Sequence, residues 1–331
     1  MRTSETTNEK KSIEKGFDMI NESASRPSIL NPAAFLGLCL VAALSACGGS
    51  GDSSTSSTAS STTTTTTTTT CAQAANFPDV SLRSNYIDWN DDGAAATITP
   101  STSVSCVGGV VNVVSNGVPN FDSLGIGLGG ANMAYQTNQK TWLFPASPVR
   151  AASTTSLTHV LGPIGVLVNG VQFYTATEAP VDNYADAVLN GFTNYCGGHV
   201  AQYHFHGYPA CFFSKNTVGT THSFLPDKTP GTIVGYAFDG FPVKSPYETC
   251  TTGADCVNGV REIISAYRYT GATNYSTEDA TVYNVYEAGY QGSTLDACNG
   301  KTDASGNYAY YATKRYPYFV GCYVGTATNN R

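Results

Sequence analysis

The chain has 331 residues and carries 17 Lys and Arg against 24 Asp and Glu, a formal net charge of −7. No basic stripe runs through it, which argues against a nucleic-acid partner, because phosphate contacts need clustered Lys and Arg. Its 10 cysteines point instead to an oxidising compartment.

Residues 1–46 read as a targeting segment and are set apart from the fold. The apolar run Ala33–Ala46 is too short to span a bilayer. It ends in Leu44-Ser45-Ala46-Cys47-Gly48, which resembles a bacterial lipobox, with cleavage before Cys47 and lipid on its sulfur. Met19 offers a second start, with Arg26 then the one basic residue ahead of the apolar run. Residues 48–70 are almost all Gly, Ser and Thr, and end in the unbroken Thr62–Thr70 tract. Such a stretch has nothing to bury and is expected to be a disordered tether with a reach of about 75 Å, at ~3.3 Å per residue. The expectation is an exported domain of residues 71–331, lipid-anchored to a bacterial membrane. Gly48 lacks the aspartate that retains lipoproteins at the inner membrane, which favours the outer membrane or cell surface.

In that domain the signals are mostly those of strands. Val107–Val114 is valine-rich and is followed by the turn Asn116-Gly117. Asn169-Gly170 divides the apolar run Ile164–Tyr174 into a hairpin. Ile233–Phe238, Ile263–Tyr269, Val282–Tyr286 and Tyr308–Tyr311 are further short strands between turn residues, and Tyr184–Leu189 alone looks helical. The fold class expected is mainly β, an antiparallel sandwich or barrel-like single domain with long loops and disulfides. Eight cysteines fall in it. Sequence proximity pairs Cys71 with Cys106, Cys196 with Cys211, Cys250 with Cys256 and Cys298 with Cys322, among the roughly one hundred connectivities that eight cysteines allow.

The stretch richest in chemistry is Cys196–Cys211, C-G-G-H-V-A-Q-Y-H-F-H-G-Y-P-A-C. It holds three of the five histidines, and its aromatic core Tyr203-His204-Phe205-His206 favours a strand. Alternation places His204 and His206 on one face and Tyr203 and Phe205 on the other. His199, entering through Gly197-Gly198, can join the first pair. Three neutral imidazoles are a common way to hold copper or zinc. His159 stands apart and reads as a packed, hydrogen-bonded residue. A fainter echo of the stretch follows in Cys298-Asn299-Gly300-Lys301 and Tyr308-Ala309-Tyr310-Tyr311 with Cys322, without a histidine. It is either a duplication or a chance likeness of two tyrosine-rich strands.

The same residues resemble the YHYH family, with Phe205 where the name has its second Tyr. Further matches are Cys196-Gly197-Gly198-His199, Gly235-Tyr236-Ala237-Phe238-Asp239-Gly240-Phe241-Pro242 and Leu295-Asp296-Ala297-Cys298-Asn299-Gly300, and the resemblance runs from about Val110 to Gly325. It implies a fold and a site rather than a reaction. By family position His222 is the best fourth ligand beside His199, His204 and His206. Asp239 is either a ligand, an orienting carboxylate, or an aspartate closing an Asp-Gly turn. His222 and Asp239 are also the candidates for catalytic roles, and Tyr195, Tyr203 and Tyr236 are candidate hydrogen-bond donors to a ligand.

No G-x-S-x-G, H-E-x-x-H, P-loop or dinucleotide fingerprint occurs. The first expectation is therefore a copper or zinc protein, with a redox or hydrolytic step on a small extracytoplasmic substrate left open. Two others differ in class. One is a metal-free module binding glycan or protein through exposed tyrosines; the other is a metal-free enzyme using His204 or His206 with Asp239 as acid and base.

Overall fold

The computed structural model describes residues 71–78, 99–121, 137, 139–194, 196–200, 202–213, 228–274 and 277–328. Cys47, the 48–70 tract, Tyr195 and His222 lie outside these residues.

Three strands, β1 (Thr102–Val107), β2 (Val110–Ser115) and β3 (Lys140–Pro145), form an antiparallel sheet. The strand expected over Val107–Val114 is in fact interrupted: Gly108 and Gly109 both take positive φ and turn the chain. Inward residues alternate with outward ones along β2, and Val111 and Val113 are fully buried. β4 (Arg150–Ser156) leaves this sheet and pairs far along the chain with a strand at Cys322–Gly325.

The centre of the fold is an eight-stranded sheet. It contains β5 (Gly165–Leu167), β6 (Gln172–Phe173), β7 (Gly198–His199), β8 (His204–Phe205), β9 (Ile233–Ala237) and β10 (Pro242–Lys244). Two small ribbons follow, β11 (Tyr247–Thr249) with β12 (Val260–Glu262), and β13 (Tyr267–Tyr269) with β14 (Asn284–Tyr286). β15 (Gly300–Thr302) and β16 (Tyr308–Tyr311) return to the sheet, and β17 (Cys322–Gly325) is the partner of β4. Among the described residues helix is confined to single turns such as α1 (Ala210–Phe213) and α2 (Ala280–Tyr283). Tyr184–Leu189 is not helical. Asp186 accepts the backbone N–H of Val188 and of Leu189, an Asx turn that competes with the helix.

The three-stranded sheet packs on the eight-stranded one, giving a sandwich-like, mainly β fold with no closed barrel among the described residues. Phe144 stacks on Tyr236 with centroids 5.0 Å apart, and Trp142 stacks on Phe238 at 5.6 Å. Burying a side chain of this size contributes about 1.5–3 kcal/mol relative to exposure. The other face is covered by the C-terminal segment. Phe173, opposite Gly165, stacks there on Phe319 at 4.7 Å. All four disulfides expected from proximity are present: Cys71–Cys106, Cys196–Cys211, Cys250–Cys256 and Cys298–Cys322.

The strand order, β15-β16-β10-β9-β5-β6-β8-β7, has the same construction read from either end. Each half is a hairpin (β5–β6 or β9–β10) whose second strand pairs in parallel with the inner strand of another hairpin (β7–β8 or β15–β16). At the centre Gly165 faces Ala237, Val166 faces Tyr236 and Leu167 faces Gly235, which puts a pseudo-two-fold axis at the Val166–Tyr236 pair. Gly165-Val166-Leu167 and Asn169-Gly170 thus correspond to Gly235-Tyr236-Ala237 and Asp239-Gly240. Gly170 and Gly240 turn the two hairpins with φ of 83° and 88°.

The outer hairpins match bond for bond. Asn194 Oδ1 accepts from Cys196 N, Gly198 N and the Tyr203 hydroxyl. Asp296 Oδ1 accepts from Cys298 N, Gly300 N and the Tyr308 hydroxyl. His206 N donates to Gly197 O as Tyr311 N donates to Asn299 O. The echo is thus one part of a repeat that also includes the two inner hairpins.

Candidate metal centre

His199 and His204 are cross-strand partners in the β7–β8 hairpin, and His206 follows on the same face as His204. Glycine is required at the approach to this hairpin. A Cβ at Gly197, where φ is 90°, would lie 2.3 Å from Tyr208 O, and one at Gly198 would lie 2.5 Å from the Tyr203 ring. The Cys196–Cys211 disulfide closes the segment, and Tyr203 and Phe205, both fully buried, anchor it from the opposite face.

The three imidazoles converge through their Nε2 atoms. His199 Nε2 is 3.0 Å from His204 Nε2, which is 3.1 Å from His206 Nε2. The ring centroids are 4.6, 4.9 and 4.9 Å apart, with planes crossing at 60–84°, like three blades around one point. Among the described residues this is the one group of three ligand-type side chains within 4.8 Å of one another.

The far side of each ring fixes its tautomer. His206 Nδ1 donates to Thr175 O at 2.6 Å and His204 Nδ1 donates to Gln202 O at 3.1 Å, while the backbone of Phe192 bonds the His199 ring. A carbonyl can only accept, so Nδ1 of His204 and His206 carries the proton and Nε2 presents a bare lone pair. Burial keeps the rings neutral. It lowers His199 to about 4 and, with the neighbouring His199 adding to it, His204 to about 3. His206 falls well below the usual histidine value through burial, then through His204 and His199.

Bare imidazole nitrogens at such distances repel one another unless a cation lies between them. A centre with bonds of ~2.0–2.1 Å sets neighbouring donors ~2.9 Å apart at right angles and ~3.3 Å apart in a tetrahedron, a range that contains the observed spacing. Tyr174 stacks on His204 with centroids 4.1 Å apart and limits its rotation. The second nitrogens of His204 and His206 are held by backbone carbonyls, as is usual for metal-ligating histidines.

Glu178, which the sequence analysis does not single out, also faces the cluster. Its Oε1 lies 3.4 Å from His199 Nε2 and 3.7 Å from His206 Nε2, and it is a buried oxygen without a hydrogen-bond donor. Burial, then Asp182, raises this carboxyl to about 7, against a backbone bond from Ala179.

The remaining candidates lie elsewhere. Asp239 is buried in the β9–β10 turn and is not part of the cluster. It accepts from the Tyr310 hydroxyl at 2.6 Å and from the backbone of Phe241, Val324 and Gly325. That is the environment of a carboxylate joining β9–β10 to β17. Tyr203 donates to Asn194 and Tyr236 accepts from Asn76. His159 is hydrogen-bonded, to Asp279 at 2.5 Å, but sits at the surface against Tyr184 rather than in a packed core.

The profile of the family described as YHYH protein matches residues 141–325, more than half of the chain. No curated protein and no solved structure gives a match. The matched segment contains the sheet, the histidine hairpin and three of the four disulfides, and the chain belongs to the YHYH protein family.

Proposed function

We propose that this protein binds one divalent transition-metal ion, copper or zinc in the first instance, through His199, His204 and His206. The observation that carries the reading is the convergence of three Nε2 atoms, with 3.0 and 3.1 Å between neighbours, two of them on rings whose other nitrogen is held by a backbone carbonyl. When bound, such an ion supplies Lewis acidity or a redox couple toward a small extracytoplasmic substrate. The chain's own residues hold the rings neutral and oriented and keep the hairpin rigid. Export and lipid anchoring at Cys47 belong to the same proposal. They are supported by the lipobox-like Leu44–Gly48 and by four disulfides, which persist in oxidising compartments.

The glycan-binding alternative has less to draw on, because Tyr203, Tyr236, Tyr247, Tyr283, Tyr308, Tyr310, Tyr311, Tyr318 and Tyr323 are all buried. The test is elemental analysis of the exported protein, purified oxidised and without chelator, beside His204→Ala/His206→Ala. Near-stoichiometric metal in the wild type and none in a folded double variant is the expected result. Equal metal content in the two would reject it.

A further inference from the structure

The second half of the sheet contains a counterpart of the histidine site. By strand register His199 corresponds to Lys301, His204 to Ala309 and His206 to Tyr311. Glu178 has a counterpart too: it follows the β5–β6 hairpin as Glu248, in β11, follows β9–β10. The two carboxylates face corresponding positions. Glu248 Oε1 pairs with Lys301 Nζ and accepts from the Tyr311 hydroxyl at 3.1 Å. Glu178 Oε1 faces His199 at 3.4 Å and His206 at 3.7 Å, where it meets lone pairs and no donor.

One half therefore closes its carboxylate against an ammonium, while the other sets a carboxylate beside the Nε2 atoms of His199 and His206, two of the three imidazoles that converge, with no ammonium among these groups. Buried carboxylates are retained where a charge or a metal partners them. We infer that Glu178 is the fourth protein ligand of the ion held by His199, His204 and His206, and that the Lys301 ammonium takes the cation's place in the second half. The inference rests on the metal reading above and deepens it. The donor set becomes three nitrogens and one oxygen, and a divalent ion there leaves a net charge of about +1. A hard carboxylate favours divalent first-row ions over soft Cu(I), which prefers thiolate and thioether ligands.

The test titrates the full chain, stripped of metal, with Co(II) and with Zn(II). Wild type is expected to bind one ion per chain. Glu178→Gln should bind the same number at least ~10-fold more weakly, with a changed Co(II) visible spectrum, and Glu248→Gln should match wild type. Unchanged affinity and spectrum in Glu178→Gln overturn the carboxylate ligand and leave the histidine site standing; no binding by wild type rejects that site itself. A second variant, His199→Lys, imitates Lys301. It should lose the metal yet melt higher, metal-free, than His199→Ala, and that gap should vanish when Glu178→Gln is added. A His199→Lys protein no more stable than His199→Ala overturns the correspondence with Lys301.

Discussion

The two halves of the eight-stranded sheet use one framework for different ends. In both, an Asx turn, a disulfide and a tyrosine hydroxyl hold a short hairpin against a parallel neighbour. In the half from β5 to β8 one face of the outer hairpin has His199, His204 and His206, all neutral, with a carboxylate beside His199 and His206. In the other that face has Lys301, Ala309 and Tyr311, where charge is balanced within the protein. The buried positions differ in the opposite sense. Asn169 and Phe205 in the first half become Asp239 and Tyr310 in the second, and the added carboxylate and hydroxyl bond each other at 2.6 Å. The second half thus has two polar clusters, Lys301–Glu248–Tyr311 and Asp239–Tyr310, each with its charges and donors matched within the protein, whereas the histidine cluster of the first half is not matched in this way.

The strongest way to break this comparison is to remove the shared staples. The disulfides removed by Cys196→Ser/Cys211→Ser and by Cys298→Ser/Cys322→Ser close loops of similar length, with separations of 15 and 24. Each should lose about 3 kcal/mol in denaturant titrations. Only the first pair should also weaken metal binding, because it closes the segment that carries all three histidines. Equal effects on metal binding would mean that the halves are not functionally distinct.

A comparable effect is expected at Asp186, where the halves meet. This fully buried carboxyl takes the Tyr318 hydroxyl at 3.1 Å, and burial raises it to about 6. Its folded value lies above the ordinary 3.8, so the stability it supports is complete below about pH 3.8 and is lost as pH rises through 6. Asp186→Asn keeps an acceptor without the charge. Its stability relative to wild type should therefore improve by roughly 3 kcal/mol between pH 3.5 and pH 7. A pH-independent difference would remove Asp186 as the titrating group.

The finer comparison is a double-mutant cycle. Tyr310→Phe, which copies Phe205, should cost about 2 kcal/mol by stripping a donor from the buried Asp239 carboxylate. Adding Asp239→Asn, which copies Asn169, should return about half of that loss, since a neutral amide needs less compensation. Additive effects would show that the hydroxyl and carboxylate are not coupled.

Much of the fold was legible locally. The Asn169-Gly170 hairpin, the aromatic strand at Tyr203–His206 and the disulfide pairs all follow from short-range rules of turn chemistry, alternation and proximity. The departures are local as well: Gly108-Gly109 breaks a valine-rich run into two strands, and an Asx turn at Asp186 replaces the helix that Tyr184–Leu189 suggests. Glu178 left a readable trace, since aligning Asn169-Gly170 with Asp239-Gly240 carries Glu178 onto Glu248.

The sequence by itself determined that His204 and His206 share a face, because side-chain direction along a strand repeats every second residue. It also determined that the eight cysteines could close four short or moderate loops. Only the tertiary structure decided that His199 points its Nε2 at theirs, that Thr175 O orients His206 from the loop after β6, and that Asp239 is bound up with Tyr310 and β17. Those contacts join residues far apart in the chain, and their distances are set by how the sheet pairs and packs rather than by any local period.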